Sequence, residues 1–360
     1  MTGPTKPPGR GATLNPDSRY SAERREAEDD GWPLDDELPP LRTQLGVDTS
    51  RTLISYNQSP DIPFDRSANP FRGCEHGCIY CYARPTHAWL GLSPGLDFET
   101  RLFWKPDAAR QLEHELAAPS YRPATLVLGA NTDPFQPIER RLGLTRSLLE
   151  VFHDCRHPVA ITTKSALVLR DLDLLVPMAE LGLVAVQISV TTLDAHLARR
   201  LEPRAASPER RLEVVQRLAQ AGVPVGVLVS PLIPGLTDVD LERILARAAA
   251  AGASRAGCLL IRLPREVAEL FAAWLRAHVP DQAERVLSLI RQCRGGHLND
   301  PEFASRMTGR GPVAELLAQR FRLAARRLGL DRQDSGWDLD ASRFRRPQLP
   351  GSQLDLFEQD

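Results

Sequence analysis

An α/β fold, a partial (β/α)6 TIM-like barrel with a helical C-terminal extension and disordered ends, is predicted by three observations. Five apolar runs of strand length recur about every 30 residues, amphipathic helical patterns fill the intervals, and polar chemistry gathers at one end of the runs.

Residues 1–45 mix Pro, Gly and charge without periodicity and close on Pro39 and Pro40, which reads as a disordered lead-in. RTLISYNQSPDIPFDRSANP (51–70) reads as an extended segment approaching the domain edge. The strand-length runs follow: TLVLGA (125–130), PVAITT (158–163), LVAVQISV (183–190), PVGVLVS (224–230) and AGCLLIRL (256–263). Around them lie DAARQLEHELA, LTRSLLEVFHD, LRDLDLLVPMAELG, SPERRLEVVQRLAQAG and DVDLERILARAAAAG, each with helical apolar spacing. Near-continuous apolar strands separated by helices imply a parallel sheet buried on both faces. With a strand near the cysteines added, there are about six β/α units, which suits a partial barrel better than a doubly wound sheet. The barrel is expected over 46–264, a helical extension over 265–329, and a flexible tail over 330–360 that ends in GSQLDLFEQD.

A formal net charge of −1 excludes a global pull toward polyanions, so contact with nucleic acid requires local basic patches. The N-terminus lacks an apolar signal core, and no later stretch approaches 18 uninterrupted apolar residues, so no membrane association and a cytoplasmic location are expected. Of six cysteines, three fall within eight residues, a clustering that in a reducing compartment favours metal ligation over disulfides.

In a parallel β/α architecture function gathers at the carboxyl ends of the strands. Those ends read GANTDPFQPIE, TTKS, SVTTLD and SPLIPGLTD, whereas the opposite ends are chemically plain. Asn131, Thr132, Asp133, Lys164, Ser189 and Thr191 are the candidates they supply. Lys164 stands out because the chain has three lysines among 45 basic residues. A rim lysine on solvent is its plainer reading, and helix capping by Thr192 or Asp194 explains part of SVTTLD equally well.

The loop NPFRGCEHGCIYCYAR places Cys74, Cys78 and Cys81 as CxxxCxxC. Three thiolates from one loop leave a fourth position unfilled. A structural zinc site normally has four protein ligands, which His76 or His87 would have to complete; a cubane cluster held by three cysteines keeps one iron open. This spacing, with Tyr80 before the last cysteine, resembles the radical S-adenosylmethionine (SAM) superfamily. The resemblance implies a [4Fe-4S] cluster on the three cysteines, SAM chelated at the open iron, and a one-electron donor such as flavodoxin or ferredoxin. It also implies reductive cleavage of SAM to a 5′-deoxyadenosyl radical that abstracts hydrogen from substrate.

Within the superfamily, residues 65–260 are similar to the spore photoproduct lyase group of DNA repair enzymes, through the cysteine loop, Tyr80, Tyr82 and the distance to Lys164. The likeness puts Tyr80 on the cofactor side and Tyr82 in hydrogen return, both beside a catalytic strand end. Where those lyases carry a hydrogen-donating cysteine, this chain has Ala130 or Asn131, so lyase activity on the spore photoproduct is not expected. TDPFQPIE (132–139) is shared with lyase-like bacterial proteins and is expected to form a polar substrate pocket.

DNA or another nucleic acid is the expected substrate, with RRLEPRAASPERR (199–211) as a phosphate-binding patch. The alternatives are RNA, a protein or a small molecule, with those arginines pairing Glu202, Glu209 and Glu213, or a nonenzymatic zinc-binding adaptor. The terminal QLDLF resembles the peptide by which bacterial replication and repair proteins dock on the sliding clamp. That implies a polar contact from Gln353, groove contacts from Leu354 and Leu356, and a pocket filled by Phe357. Folding back onto the chain's own domain is the alternative.

Overall fold

A computed structural model of the chain describes residues 9–21, 41–303, 305–331 and 339–349. The strands among them are β1 (Gln44–Val47), β2 (Ile54–Tyr56), β3 (Arg66–Ala68), β4 (Phe71–Arg72), β5 (Arg101–Trp104), β6 (Leu126–Leu128), β7 (Val159–Thr163), β8 (Val184–Ser189), β9 (Val225–Leu232) and β10 (Arg255–Leu260). The principal sheet runs β10-β9-β8-β7-β6-β3-β2. From β3 to β10 every neighbouring pair is parallel, and β2 adds an antiparallel edge on β3. Six parallel strands in an open arc are the expected partial barrel. A small second sheet, β1-β5-β4, was not foreseen.

The helices are α1 (Asp97–Thr100), α2 (Ala108–Ala117), α3 (Glu139–Leu142), α4 (Leu144–Asp154), α5 (Leu172–Glu180), α6 (Ala195–Leu201), α7 (Pro208–Gln220), α8 (Leu241–Ala250), α9 (Glu266–His278), α10 (Pro280–Gln292) and α11 (Pro312–Arg327). Their starts follow from local chemistry. Asp194 accepts from the His196 and Leu197 amides at the head of α6; Ser207 accepts from the Arg210 amide at α7, with Pro208 in the first turn. Asp194 therefore has the capping role that its position in SVTTLD allowed.

Strand periodicity divides the sheet. Val159, Ile161, Val184, Val186, Val225 and Val227 join the main apolar core beneath the helices. The alternate residues Ala160, Ala185 and Gly226 face the other way and are small. Each of those valines contributes roughly 1.5–3 kcal/mol by burial. A second core is more informative about function: Ile79 and Tyr80 of the cysteine loop pack with Val267, Phe271, Trp274 and Leu275 of α9 and with Leu287 and Ile290 of α10. The helical extension thus buttresses the cysteine loop, and the Trp274 indole N–H donates to the Arg200 carbonyl at 3.2 Å.

Both ends differ from expectation where they are described. Residues 9–21, inside the lead-in, lie on the cysteine loop, with Arg10 and Ala12 buried. Residues 339–349, inside the expected flexible tail, dock at the amino ends of the strands. There the Arg345 amide donates to Cys155 O at 2.7 Å, and Phe344 meets His157 edge-on at 5.5 Å. The reason is the same in both cases: one apolar contact in a polar segment, buried Ala12 in one and half-buried Phe344 in the other, leaves no periodic signal.

Candidate active site

The cysteine loop is built around one buried ion pair. Arg84, fully buried, donates to the carbonyls of Cys78 (2.9 Å), Gly77 (3.1 Å), Pro94 (3.1 Å) and Gly95 (2.8 Å), and to the Glu99 carboxylate at 2.5 Å. Glu99 also accepts from the amides of Gly11 (2.8 Å) and Ala12 (2.9 Å), so the N-terminal strap closes over the same carboxylate. Gly77, at φ +68°, permits this approach: a Cβ there would lie 2.6 Å from Glu99 Oε2. Gly11 is equally constrained, since its Cβ would fall 1.8 Å from Gly77 O.

Burial raises all three thiols on this loop, Cys74 well above its ordinary value and Cys78 to about 12. Cys78 and Cys81 also disfavour ionisation of Cys74, and Cys81 that of Cys78, while Lys164 opposes the rise at Cys78 and Cys81. Three mutually close, desolvated thiols need a cation to become thiolates, and the irons of a cluster supply it. The residues present therefore fit a cluster held by Cys74, Cys78 and Cys81. No group of three His, Cys, Asp or Glu among the described residues is set around a single metal ion; His76 Nδ1 lies 3.3 Å from Asp133, and His87 Nε2 contacts the Arg101 carbonyl at 2.9 Å.

Beside the loop, a second buried pair organises side chains rather than backbone. Arg211 donates to Glu202, to Ser189 O at 3.0 Å and to Ala206 O at 2.8 Å. Glu202 additionally accepts from the Tyr80 hydroxyl and from Thr191 Oγ1 at 2.7 Å. Burial would raise the Glu202 carboxyl, but Arg211, Lys164 and these hydrogen bonds hold it at about 2. Lys164 Nζ stands 5.9 Å from the centre of the Tyr80 ring, completing the group. Ser189 Oγ donates to Ser230 O at 2.9 Å, and Thr192 donates to Asp240 at 2.7 Å, so Thr192 has a structural duty. The structure thus brings Tyr80, Lys164, Ser189 and Thr191 together beside the cysteines.

The polar side chains of TDPFQPIE bond chiefly to the protein itself. Asp133 accepts from Thr163 Oγ1 (2.7 Å), the Phe135 amide (2.9 Å) and the Lys164 amide (2.8 Å). Burial would raise its carboxyl, yet His76 and these donors hold it at about 2. Thr132 donates to Phe71 O at 3.2 Å. Gln136, fully buried, donates to Gly73 O at 3.2 Å and accepts from the Glu75 amide at 2.8 Å, bracing the cysteine loop from behind. Glu139 pairs with Arg170 at 2.9 Å. Thr132, Asp133, Gln136 and Glu139 thus bond within the protein, while Phe135 and Pro137 of the same segment line a cleft beside the cysteine loop.

Tyr82 lies on the open side, 49% exposed, with its hydroxyl donating to the Ala130 carbonyl. Asn131 follows directly, half-buried, its amide donating to Asn69 Oδ1 at 3.2 Å. The place next to Tyr82 is thus filled by backbone and an amide side chain. Arg262, just past β10, stands 5.8 Å from the Tyr82 ring centre. Sequence reasoning missed Glu99 and Arg262, whose partners lie in other elements; it named Glu202 with Arg211 as a surface pairing and Gln136 only as part of TDPFQPIE.

Such a fold, an open parallel barrel with a three-cysteine loop at its carboxyl rim, defines a class that carries an iron–sulfur cluster at the mouth of the barrel. Residues 68–248 match the radical SAM superfamily, and the chain belongs to it. An uncharacterised protein of Mycobacterium tuberculosis is 38% identical over 314 residues, covering 82% of this chain and 90% of the relative. An uncharacterised protein of Acidianus two-tailed virus is 31% identical over 182 residues, covering 48% and 59%. Among solved structures, a spore photoproduct lyase mutant aligns with TM-score 0.55 at 17% identity, covering 79% of this chain and 78% of that one. The lyase complexed with dinucleoside spore photoproduct aligns equally well, with TM-score 0.55 at 16% identity and the same coverage. The chain is a radical SAM enzyme with a [4Fe-4S] cluster and SAM as its cofactors, and the zinc-adaptor alternative falls. No helix among the described residues is long and apolar enough to cross a membrane. QLDLF (353–357) lies outside the described residues.

Proposed function

We propose that this enzyme abstracts a hydrogen atom from a nucleic-acid strand, DNA first, in a lyase-like repair reaction in the cytoplasm. The observation that carries the reading is the open face beside the cysteine loop, where half-exposed Tyr82 carries Arg262 over its ring. An accessible aromatic ring beside a guanidinium suits a base and its phosphate. Among the described residues Arg262 forms no ion pair and its Nη1 reaches Met307 Sδ at 3.7 Å, so its charge is open to a phosphate. The fold shared with a lyase solved with a dinucleoside lesion supports the same substrate class.

When bound and reduced by a donor such as flavodoxin or ferredoxin, the cofactors supply the hydrogen-abstracting radical. The chain's own residues position and shield: Tyr80, Lys164, Ser189 and Thr191 present the polar groups on the SAM side, and Tyr82 with Asn131 faces substrate. The absence of a cysteine at Ala130–Asn131 makes Tyr82 the nearest hydroxyl for returning a hydrogen atom. The test is anaerobic reconstitution with dithionite and SAM, with 5′-deoxyadenosine measured with and without ultraviolet-damaged DNA. Stimulation by DNA that Arg262→Ala removes is expected; formation indifferent to DNA overturns the substrate reading.

We also propose that the tail recruits the enzyme to the DNA sliding clamp. Support comes from the docking of residues 339–349 at the amino ends of the strands, opposite the cysteine rim, so a clamp held there leaves the site open. Three buried apolar side chains at roughly 1.5–3 kcal/mol each, less the cost of ordering, correspond to micromolar binding. A peptide of residues 346–360 is expected to bind a bacterial sliding clamp and to lose binding on Phe357→Ala. No binding at high micromolar concentration ends the proposal.

A further inference from the structure

The Arg-rich stretch 199–211 does not act as one patch. Arg211 is buried against Glu202, and Arg200 donates to His278 O at 3.1 Å. Arg204 and Arg210 instead line a cleft of about 590 Å³ with Arg217, which shares α7 with Arg210, and with arginines from two other elements, Arg140 of α3 and Arg170 before α5. No carboxylate lines it. The cleft borders the cysteine loop through His76 and the Lys164 turn through Ser165, so it runs up to the site already described.

Not all of this charge is neutralised nearby. Arg170 pairs with Glu139 and Asp171, Arg204 with Glu75 at 3.2 Å, and Arg210 with Glu213. Arg140 and Arg217 are exposed and have no carboxylate partner among the described residues. Leu167 and Leu169, half-buried, add an apolar wall between the arginines. Cations spaced along a groove with apolar surface between them match a sugar–phosphate backbone with its bases, and the cleft is larger than a single phosphate needs.

Resting on the nucleic-acid reading above, we infer that this cleft is the phosphate-binding track that leads a single strand to the cysteine rim, with Arg140, Arg204, Arg210 and Arg217 as its contacts. The track sets affinity and register without reading sequence.

The test is fluorescence anisotropy of the reconstituted full chain with a labelled mixed-sequence single strand of about 16 nucleotides, titrated across salt concentrations. Arg140→Ala with Arg217→Ala is expected to weaken binding at least tenfold at low salt. It should also reduce the slope of log K against log salt by about 1.4, at about 0.7 for each phosphate no longer neutralised. Arg140→Lys with Arg217→Lys should keep most of the slope, and Arg285→Ala with Arg322→Ala, exposed arginines outside the cleft, should keep all of it. Melting temperature and iron content establish that each variant is folded and loaded. A wild-type slope in the Arg140→Ala/Arg217→Ala protein, or an equal loss in the Arg285→Ala/Arg322→Ala protein, overturns the cleft while leaving the nucleic-acid reading standing. Failure of the wild type to bind at low salt overturns both.

Discussion

Two buried arginine–glutamate pairs flank the cysteine loop, and they differ in what they hold. Arg84 and Glu99 satisfy backbone: four carbonyls from one partner, two amides of the N-terminal strap on the other. Arg211 and Glu202 gather side chains, drawing Tyr80 and Thr191 onto one carboxylate with Lys164 across the tyrosine ring. A buried ion pair is weak evidence for stability in itself, because desolvation offsets the attraction. What each pair determines is placement, of the loop in one case and of the pocket in the other.

The contrast is broken most sharply at the first pair. Arg84→Ala leaves Glu99 buried and unpaired and frees four carbonyls, so a loss of about 3–5 kcal/mol is expected, together with failure to retain iron. Chemical denaturation and iron analysis check it. A stable variant with a full iron complement would mean that the loop needs no such brace.

Acid probes the buried histidines near and beyond these pairs. Burial lowers the His157 imidazole from its usual 6.5 to about 4, and His87 likewise to about 4. The unfolded chain takes up these protons near pH 6.5 and the folded chain only near pH 4, so stability is full above about 6.5 and falls as pH drops toward 4. The loss is on the order of 3 kcal/mol for each histidine. Glu202, held at about 2 against an ordinary 4.5, loses its contribution mainly below that window, as pH falls from about 4.5 toward 2. His157→Gln is expected to flatten part of the profile in denaturation measured from pH 7 to 4; an unchanged profile contradicts the assignment.

At the second pair the distinguishing effect is on chemistry, although Arg211 is left buried opposite a neutral amide. Glu202→Gln keeps shape and an acceptor for Tyr80 but removes the charge opposite Arg211 and Lys164. Iron content should hold while 5′-deoxyadenosine formation falls about tenfold, some 1.4 kcal/mol. Loss of iron instead would make this pair a loop brace like the first.

These two pairs also mark how far sequence reasoning reaches. The strands were legible because burial on both faces writes continuous apolar runs: LVAVQISV becomes Val184–Ser189 and PVAITT becomes Val159–Thr163. The three cysteines, Tyr80 and Lys164 were legible because chemistry and spacing coincide locally. Glu99 was not, since its amide partners Gly11 and Ala12 lie 88 and 87 residues away inside a segment that reads as disordered. TDPFQPIE was noticed for its polarity, but a buried Gln136 holding two backbone groups has the same polarity in sequence as a ligand-facing one. Glu202 and Arg211 read as a solvated helix surface, because their burial depends on the cysteine loop packing over them.

The central claim, that Cys74, Cys78 and Cys81 carry the cluster on which this chain's chemistry depends, has one direct measurement. Wild-type protein and the Cys74→Ala/Cys78→Ala/Cys81→Ala variant are reconstituted anaerobically, and SAM-dependent 5′-deoxyadenosine formation is followed under dithionite. Formation by the wild type and none by the variant is predicted. Equal formation by both, or none from a wild type loaded with four irons, would contradict it.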